Sequence, residues 1–311
     1  MPRLTVRDDA GAPPVLRRRA GLPLAAGLFL LVLAGCGEGP QQEPIGRTLA
    51  DLLAREAPTV EEVERLIAEG RFEVARDKLL TLQKSDPENP DAAYLLGEIE
   101  LRLGNSDAAL KHYAAVATLP DHRARALQGQ GLALLQLGRQ DEALVLLEEA
   151  VGLDAGLWRA HNALGRIHDA RGEWQPAAVA YTQALAANPQ SAMLHNNLGM
   201  SLLLQRRFDE AMLEFGRAIE LDRTLEAPKT NLRMAYALQG RYVEALAGVP
   251  EAQIADYLNN VGYAAMLRGD YEGAEAYLTR AMEISPSYHR RAASNLEQLK
   301  ALKALAAERS E

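Results

Sequence analysis

The sequence predicts an all-α fold, a solenoid of about seven helical hairpins closed by a C-terminal helix, on three observations. Alanine and leucine supply most of the 48% hydrophobic residues while aromatics stay at 5%, a balance that favours helices over sandwiches and barrels. A unit Gly-x-aromatic-x-x-Ala, or a near variant of it, recurs in one register along most of the chain. Pro87, Pro189 and Pro286 stand where second helices of these units should stop.

Residues 1–35 differ from the rest. Arg17, Arg18 and Arg19 precede an apolar run from Leu22 to Leu33, and small residues with the lone cysteine follow. This is the order of a secretory leader, and the run is too short to span a bilayer. Leu33, Ala34, Gly35 and Cys36 together resemble the lipobox of bacterial lipoproteins. The resemblance implies a mature chain that starts at Cys36 and carries three acyl chains. At about 0.8 kcal/mol per buried methylene, such an anchor is effectively permanent. Gly37, in place of an aspartate, points to the periplasmic face of the outer membrane. Asp8 and Asp9 are out of place in a leader, whereas one beginning at Val15 or Leu16 would be ordinary, so the true start is expected downstream of Met1.

Residues 36–58 read as a lipidated N-terminus and tether, with Pro40, Pro44 and Gly46 ahead of a short amphipathic piece from Leu49 to Glu56. The solenoid is expected over 59–286, opened by a capping box at Thr59 and Glu62. Its units begin at Gly70, Gly104, Gly138, Gly172, Arg206, Gly240 and Gly269; every step is 34 residues except the last, which is 29. A second glycine precedes by seven in most units, at Gly97, Gly131, Gly165, Gly199 and Gly262. Each unit then reads as a first helix, a tight turn at the later glycine, and a second helix whose alanine permits close approach. Leu79, Tyr113, Leu147, Tyr181, Phe215 and Leu278, four residues after each alanine, are expected to fill the space between repeats. Residues 287–311 supply a capping helix and tail, with Leu296, Leu299, Leu302 and Leu305 as the buried stripe and Arg290, Arg291, Glu297, Lys300 and Lys303 on the other face.

Glycines and alanines held in this 34-residue register over residues 59–290 resemble the tetratricopeptide repeat family. The resemblance implies that the first helices line a concave groove. Its inward positions are Arg159, Asn162, Arg166 and Asp169; Met193, Asn196, Met200 and Leu203; Ala227, Thr230, Met234 and Ala237; and Asp256, Asn259, Tyr263 and Met266. Asn162, Asn196, Thr230 and Asn259 share one column. Amides there either pair with the backbone of an extended peptide, beside adaptable methionines, or bond the neighbouring helix. As concave polar positions they are expected to contribute little to the core. The 29-residue step shortens one hairpin, and the segment from Gly240 to Leu278 around it resembles the C-terminal part of TadD-type lipoproteins of tight-adherence (Flp) pilus systems. That resemblance implies an outer-membrane lipoprotein assisting pilus or secretin assembly; a general envelope adaptor that recruits peptidoglycan or other envelope enzymes is the alternative.

Charge narrows the partners. The chain carries 34 basic and 42 acidic residues. The first 35 residues hold five arginines and two aspartates, which leaves 29 basic and 40 acidic residues, a net charge of −11. Nucleic acid, which needs a basic face, is not an expected partner; envelope proteins, and the membrane through the lipid, are. No phosphate loop, Gly-x-Ser-x-Gly, CxxC or His-Glu-x-x-His occurs, so no enzyme activity, metal or cofactor is expected. His161 and His195 occupy one repeat position and read as packing between repeats, although two imidazoles could stack there.

Overall fold

A computed structural model describes residues 58–284 and 289–308. The leader, Cys36 and the tether lie outside the described residues, as does Pro286. Residues 56–311 form one compact unit, and the described residues contain fifteen α-helices, one 3-10 turn and no strand. The hairpins are α1 (Val60–Ala68) with α2 (Phe72–Ser85), α3 (Pro90–Arg102) with α4 (Ser106–Val116), α5 (Pro120–Gln136) with α6 (Gln140–Leu153) and α7 (Trp158–Arg171) with α8 (Trp174–Ala187). They continue with α9 (Ala192–Leu204) and α10 (Phe208–Leu221), α11 (Glu226–Leu238) and α12 (Tyr242–Leu246), and α13 (Ile254–Arg268) and α14 (Tyr271–Ile284), before the final α15 (His289–Glu308).

Local chemistry sets the boundaries. Thr59 Oγ1 accepts from the Glu62 amide at 3.2 Å, and Asn89 Oδ1 accepts from the Ala92 amide at 2.9 Å with Pro90 at the first helical position. Between paired helices the chain turns through a left-handed residue with φ of 72–85° at Gly70, Gly104, Gly138, Gly172, Gly240 and Gly269. In the fifth unit the same turn falls on Arg206, at φ 61°, so the register forces on an arginine a conformation that glycine adopts freely.

The core repeats one device. Ala75, Ala109, Ala143, Ala177, Ala211, Ala245 and Ala274 are buried at the crossings of first and second helices. A Cβ on Gly97 would meet the Tyr113 ring at 2.7 Å, one on Gly165 the Tyr181 ring at 2.8 Å, and one on Gly199 the Phe215 ring at 2.6 Å. These large residues therefore lie over the glycine of their own hairpin, a contact that the expectation of filling the space between repeats did not include. Tyr113 does both, since a Cβ on Gly129 of the next first helix would approach its ring to 2.3 Å.

The sixth hairpin departs from the device. Helix α12 has five residues, and the frame's glycine is replaced by Arg233. Its guanidinium Nη1 donates to the carbonyls of Ala245 at 3.0 Å and Ala247 at 2.7 Å, and the group lies 5.3 Å from the centre of the Tyr257 ring. A long cationic side chain thus takes the place of the helix turn that the shortened segment lacks.

Helix α15 caps the stack through Ala292, Leu296 and Leu299, while Leu302 and Leu305 are exposed. This corrects the four-leucine stripe. Twenty residues of helix extend about 30 Å, against about 22 Å for the fifteen of α13, so its last turns run past the layer they cover.

Candidate functional site

Successive first helices pack side by side from α3 to α13, which brings the predicted columns into line. Arg166 and Met193 are exposed; Asn196, Met200, Thr230, Met234 and Tyr263 are partly exposed; Asn162 and Asn259 are buried. Buried asparagines must find partners inside the protein, and these do. Asn162 Oδ1 accepts from Asn197 Nδ2 at 2.9 Å, Asn196 Oδ1 from Asn231 Nδ2 at 2.9 Å, and Asn259 Oδ1 from Asn295 Nδ2 at 3.0 Å. Thr230 completes the column by pairing its hydroxyl with that of Tyr257 at 3.2 Å. One repeat earlier, Gln128 Oε1 accepts from the Ala160 amide at 3.0 Å. The column is a seam that joins each first helix to the next. That corrects the expectation of little contribution to the core.

Arg159 is also engaged internally. Its Nη1 donates to Glu98 Oε2 at 2.9 Å, and the Tyr113 hydroxyl donates to Glu98 Oε1 at 2.8 Å. Burial pushes the Glu98 carboxyl up, but the Arg159 charge and the Tyr113 hydrogen bond outweigh it and hold the group below its ordinary 4.5. Asp169, the last inward residue of α7, accepts from the Tyr181 hydroxyl at 3.0 Å and from Ser201 Oγ at 2.7 Å; burial raises its pKa against these bonds. His161 Nε2 donates to the Ala155 carbonyl six residues earlier at 3.1 Å, whereas His195 pairs its Nδ1 with Glu214 Oε2 on the second helix of its own hairpin at 2.7 Å and sets Nε2 3.3 Å from the Pro189 carbonyl.

What stays open on this face is Arg166, Met193, Met200, Met234, Tyr263 and a cleft of about 320 Å³ between α11 and α13, lined by Thr230, Tyr257 and Asn260 with Glu226, Gln253, Asp256 and Arg291; Met266, expected to face inward, is buried. Among the described residues no cluster of three His, Cys, Asp or Glu could hold a metal, and no helix is long and apolar enough to cross a membrane. Sequence reasoning missed Glu98, Arg233 and the second asparagines. Asn197, Asn231 and Asn295 were findable, since each follows a column asparagine by 35 or 36 residues. So was Arg233, an arginine standing at a glycine position of the frame.

Comparison with known proteins agrees with this architecture. A tetratricopeptide repeat model matches residues 60–123, 101–157 and 158–225, and a second matches 255–288. The unmatched interval holds the shortened sixth hairpin. Over 216 residues the chain is 29% identical to an uncharacterised protein, y4yS, of Sinorhizobium fredii, covering 68% of this chain and 98% of that one. It is 35% identical over 82 residues to the lipoprotein NlpI homologue of Haemophilus influenzae, 26% of each chain. With the type IV pilus assembly protein PilF of Pseudomonas aeruginosa it shares 36% over 81 residues, 26% of this chain and 32% of that one. The chain therefore spans only a quarter to a third of the latter two. The C-terminal part of a tetratricopeptide protein from Cytophaga hutchinsonii superposes with a TM-score of 0.53 at 15% identity, covering 76% of this chain and 99% of that one, a likeness of fold alone. With more than half its length matched by repeat models, the chain belongs to the tetratricopeptide repeat family, whose repeats are protein-interaction scaffolds.

Proposed function

We propose that the chain is a lipid-anchored scaffold on the periplasmic face of the outer membrane, docking an extended segment of another envelope protein and assisting assembly of a pilus or secretin of the tight-adherence type. The observation that carries the docking face is the row of uncharged, exposed or partly exposed side chains on α9 and α11: Met193, Asn196, Met200, Thr230 and Met234. Methionines adapt their shape to a partner, and depletion of charge is the signature of an interface core. The anchor rests on Cys36 behind its leader. The pilus assignment rests on the segment from Gly240 to Leu278 and on the likeness to a protein named for pilus assembly. A second reading is an adaptor for peptidoglycan or other envelope enzymes; the match of equal size to a lipoprotein NlpI homologue supports the lipoprotein character that both readings share.

A photo-crosslinking residue at position 200 in living cells, with one at Val145 on the exposed side of α6 as control, separates these readings. Capture of a pilus or secretin component from position 200 supports the first, and capture of an envelope enzyme selects the second. Capture from position 145 alone removes the docking face. For the anchor, Cys36→Ser is expected to leave uncleaved precursor without fatty-acid label. Labelled mature protein from that variant would overturn the assignment.

A further inference from the structure

We propose that the docking face reads charge order, taking an extended segment whose uncharged centre is flanked by an acidic residue beside Arg166 and a basic residue beside Asp256. This rests on the docking face above and names the chemistry of its occupant. In a chain that is 24% charged, the whole stretch from Trp174 to Gln205 contains no aspartate, glutamate, lysine or arginine. It includes α9, which presents Met193, 44% exposed, and Met200 to the docking face. On α11 the same columns hold Ala227, Thr230 and Met234, so two successive repeats offer only uncharged side chains there.

Both ends of this neutral zone carry a charge without an ion-pair partner among the described residues. Arg166 on α7 is exposed and makes no ion pair, its charge acting on the Tyr181 hydroxyl, whereas Arg159 two turns earlier is paired with Glu98. Asp256 at the start of α13 has neither hydrogen bond nor ion pair among the described residues, and it lines the 320 Å³ cleft between α11 and α13. Glu226, already paired with Lys229 at 2.7 Å, lines the same wall, as does Arg291, which is likewise engaged. The cleft suits a lysine or arginine side chain, with the Asn260 amide and the Tyr257 hydroxyl as further polar partners. Unpaired charges of opposite sign at the two ends fix the orientation and register of an occupant more than its affinity. Three helix-to-helix steps of about 8–10 Å separate α7 from α13, a span of about eight or nine extended residues at about 3.3 Å each.

The test is selection of random peptides of about twelve residues, long enough for that span, on the immobilised full-length chain and on Arg166→Glu, Asp256→Lys and Met200→Glu variants. Thermal melting of each variant checks that these surface changes leave the fold in place. The expected result is enrichment of an acidic and a basic residue about seven to nine positions apart with only uncharged residues between them. Arg166→Glu should weaken the best peptide at least about tenfold, with recovery when the peptide's acid becomes lysine; Asp256→Lys should do the same at the other end. Met200→Glu, in the middle of the neutral zone, should abolish selection. Enrichment that Met200→Glu abolishes but that shows no charge pair, or is indifferent to the end variants, overturns the charge order and leaves the docking face standing. Enrichment that survives Met200→Glu, or none at all, overturns both.

Discussion

Glu98 and Arg159 form an ion pair at 2.9 Å although α5 and its whole repeat lie between them in the chain. The pair ties the second hairpin to the fourth. The side chains are 10% and 28% exposed, so the pair is largely withdrawn from water and removing one partner strands the other. Arg159→Ala is expected to lower stability by about 3 kcal/mol, the lower end of what breaking a buried pair costs. The Glu98 carboxyl is held below 4.5 in the fold by the balance described above. A depressed carboxylate stabilises above its unfolded value, and that contribution is lost as pH falls through the folded value. The difference between wild type and Glu98→Gln in melting temperature should therefore be full near neutrality and shrink below pH 4.5. A difference independent of pH would show that Glu98 acts by shape alone.

The asparagine seam carries a second prediction. Asn196→Ala with Asn259→Ala removes two acceptors and leaves the amides of Asn231 and Asn295 without them. At about 1–2 kcal/mol for each donor left unsatisfied, the double variant should lose about 2–4 kcal/mol in urea unfolding, since the sites are distant enough to add. An unfolding midpoint equal to wild type would return these residues to a role in partner contact alone.

The sequence made periodic features legible and concealed the ones that break the period. Glycine at the turn, alanine at the crossing and the large residue four positions on are repeated choices, so each repeat corroborates the others. Glu98 carries no such signal, because its partner lies 61 residues away and only the packing of successive hairpins brings the two together. Asn196 leaves two readings open in the sequence, a groove amide or a bond to the neighbouring helix, because its own position is visible while the donor on the next helix, Asn231, is not paired with it until the helices pack. Leu302 and Leu305 kept the helical spacing of a buried stripe, yet spacing says nothing about where the covered layer ends. Cys36 and the leader were read from the sequence alone.

Arg206 holds φ 61° at a turn where the other full-length units use glycine. A non-glycine residue there costs about 1–2 kcal/mol, partly offset because glycine has more unfolded freedom to lose. Arg206→Gly is expected to raise stability by about 0.5–1 kcal/mol. Gly138→Ala, with φ 76° and no neighbour within 4 Å of an added Cβ, is the matched control and should lower it by a similar amount. Differential scanning calorimetry of the pair would sink the idea if both shifted in the same direction.

Arg233 is predicted to hold the shortened sixth hairpin closed. Its guanidinium meets two carbonyls at and just beyond the end of α12 while lying against Tyr257, so it replaces both the missing helix turn and that turn's hydrogen bonds. Charge-assisted bonds of this kind contribute about 1.5–3 kcal/mol each when buried, and Arg233 is only partly so. Arg233→Ala should therefore cost about 2 kcal/mol in total. Arg233→Lys should recover little, because an ammonium cannot reproduce the planar fork or its stacking on the ring. Hydrogen exchange gives the local signature: amides from Tyr242 to Ile254 should lose protection well before those of α9 and α10. Uniform loss along the stack, or full rescue by lysine, would mean that Arg233 contributes charge to the surface and does not clamp the hairpin.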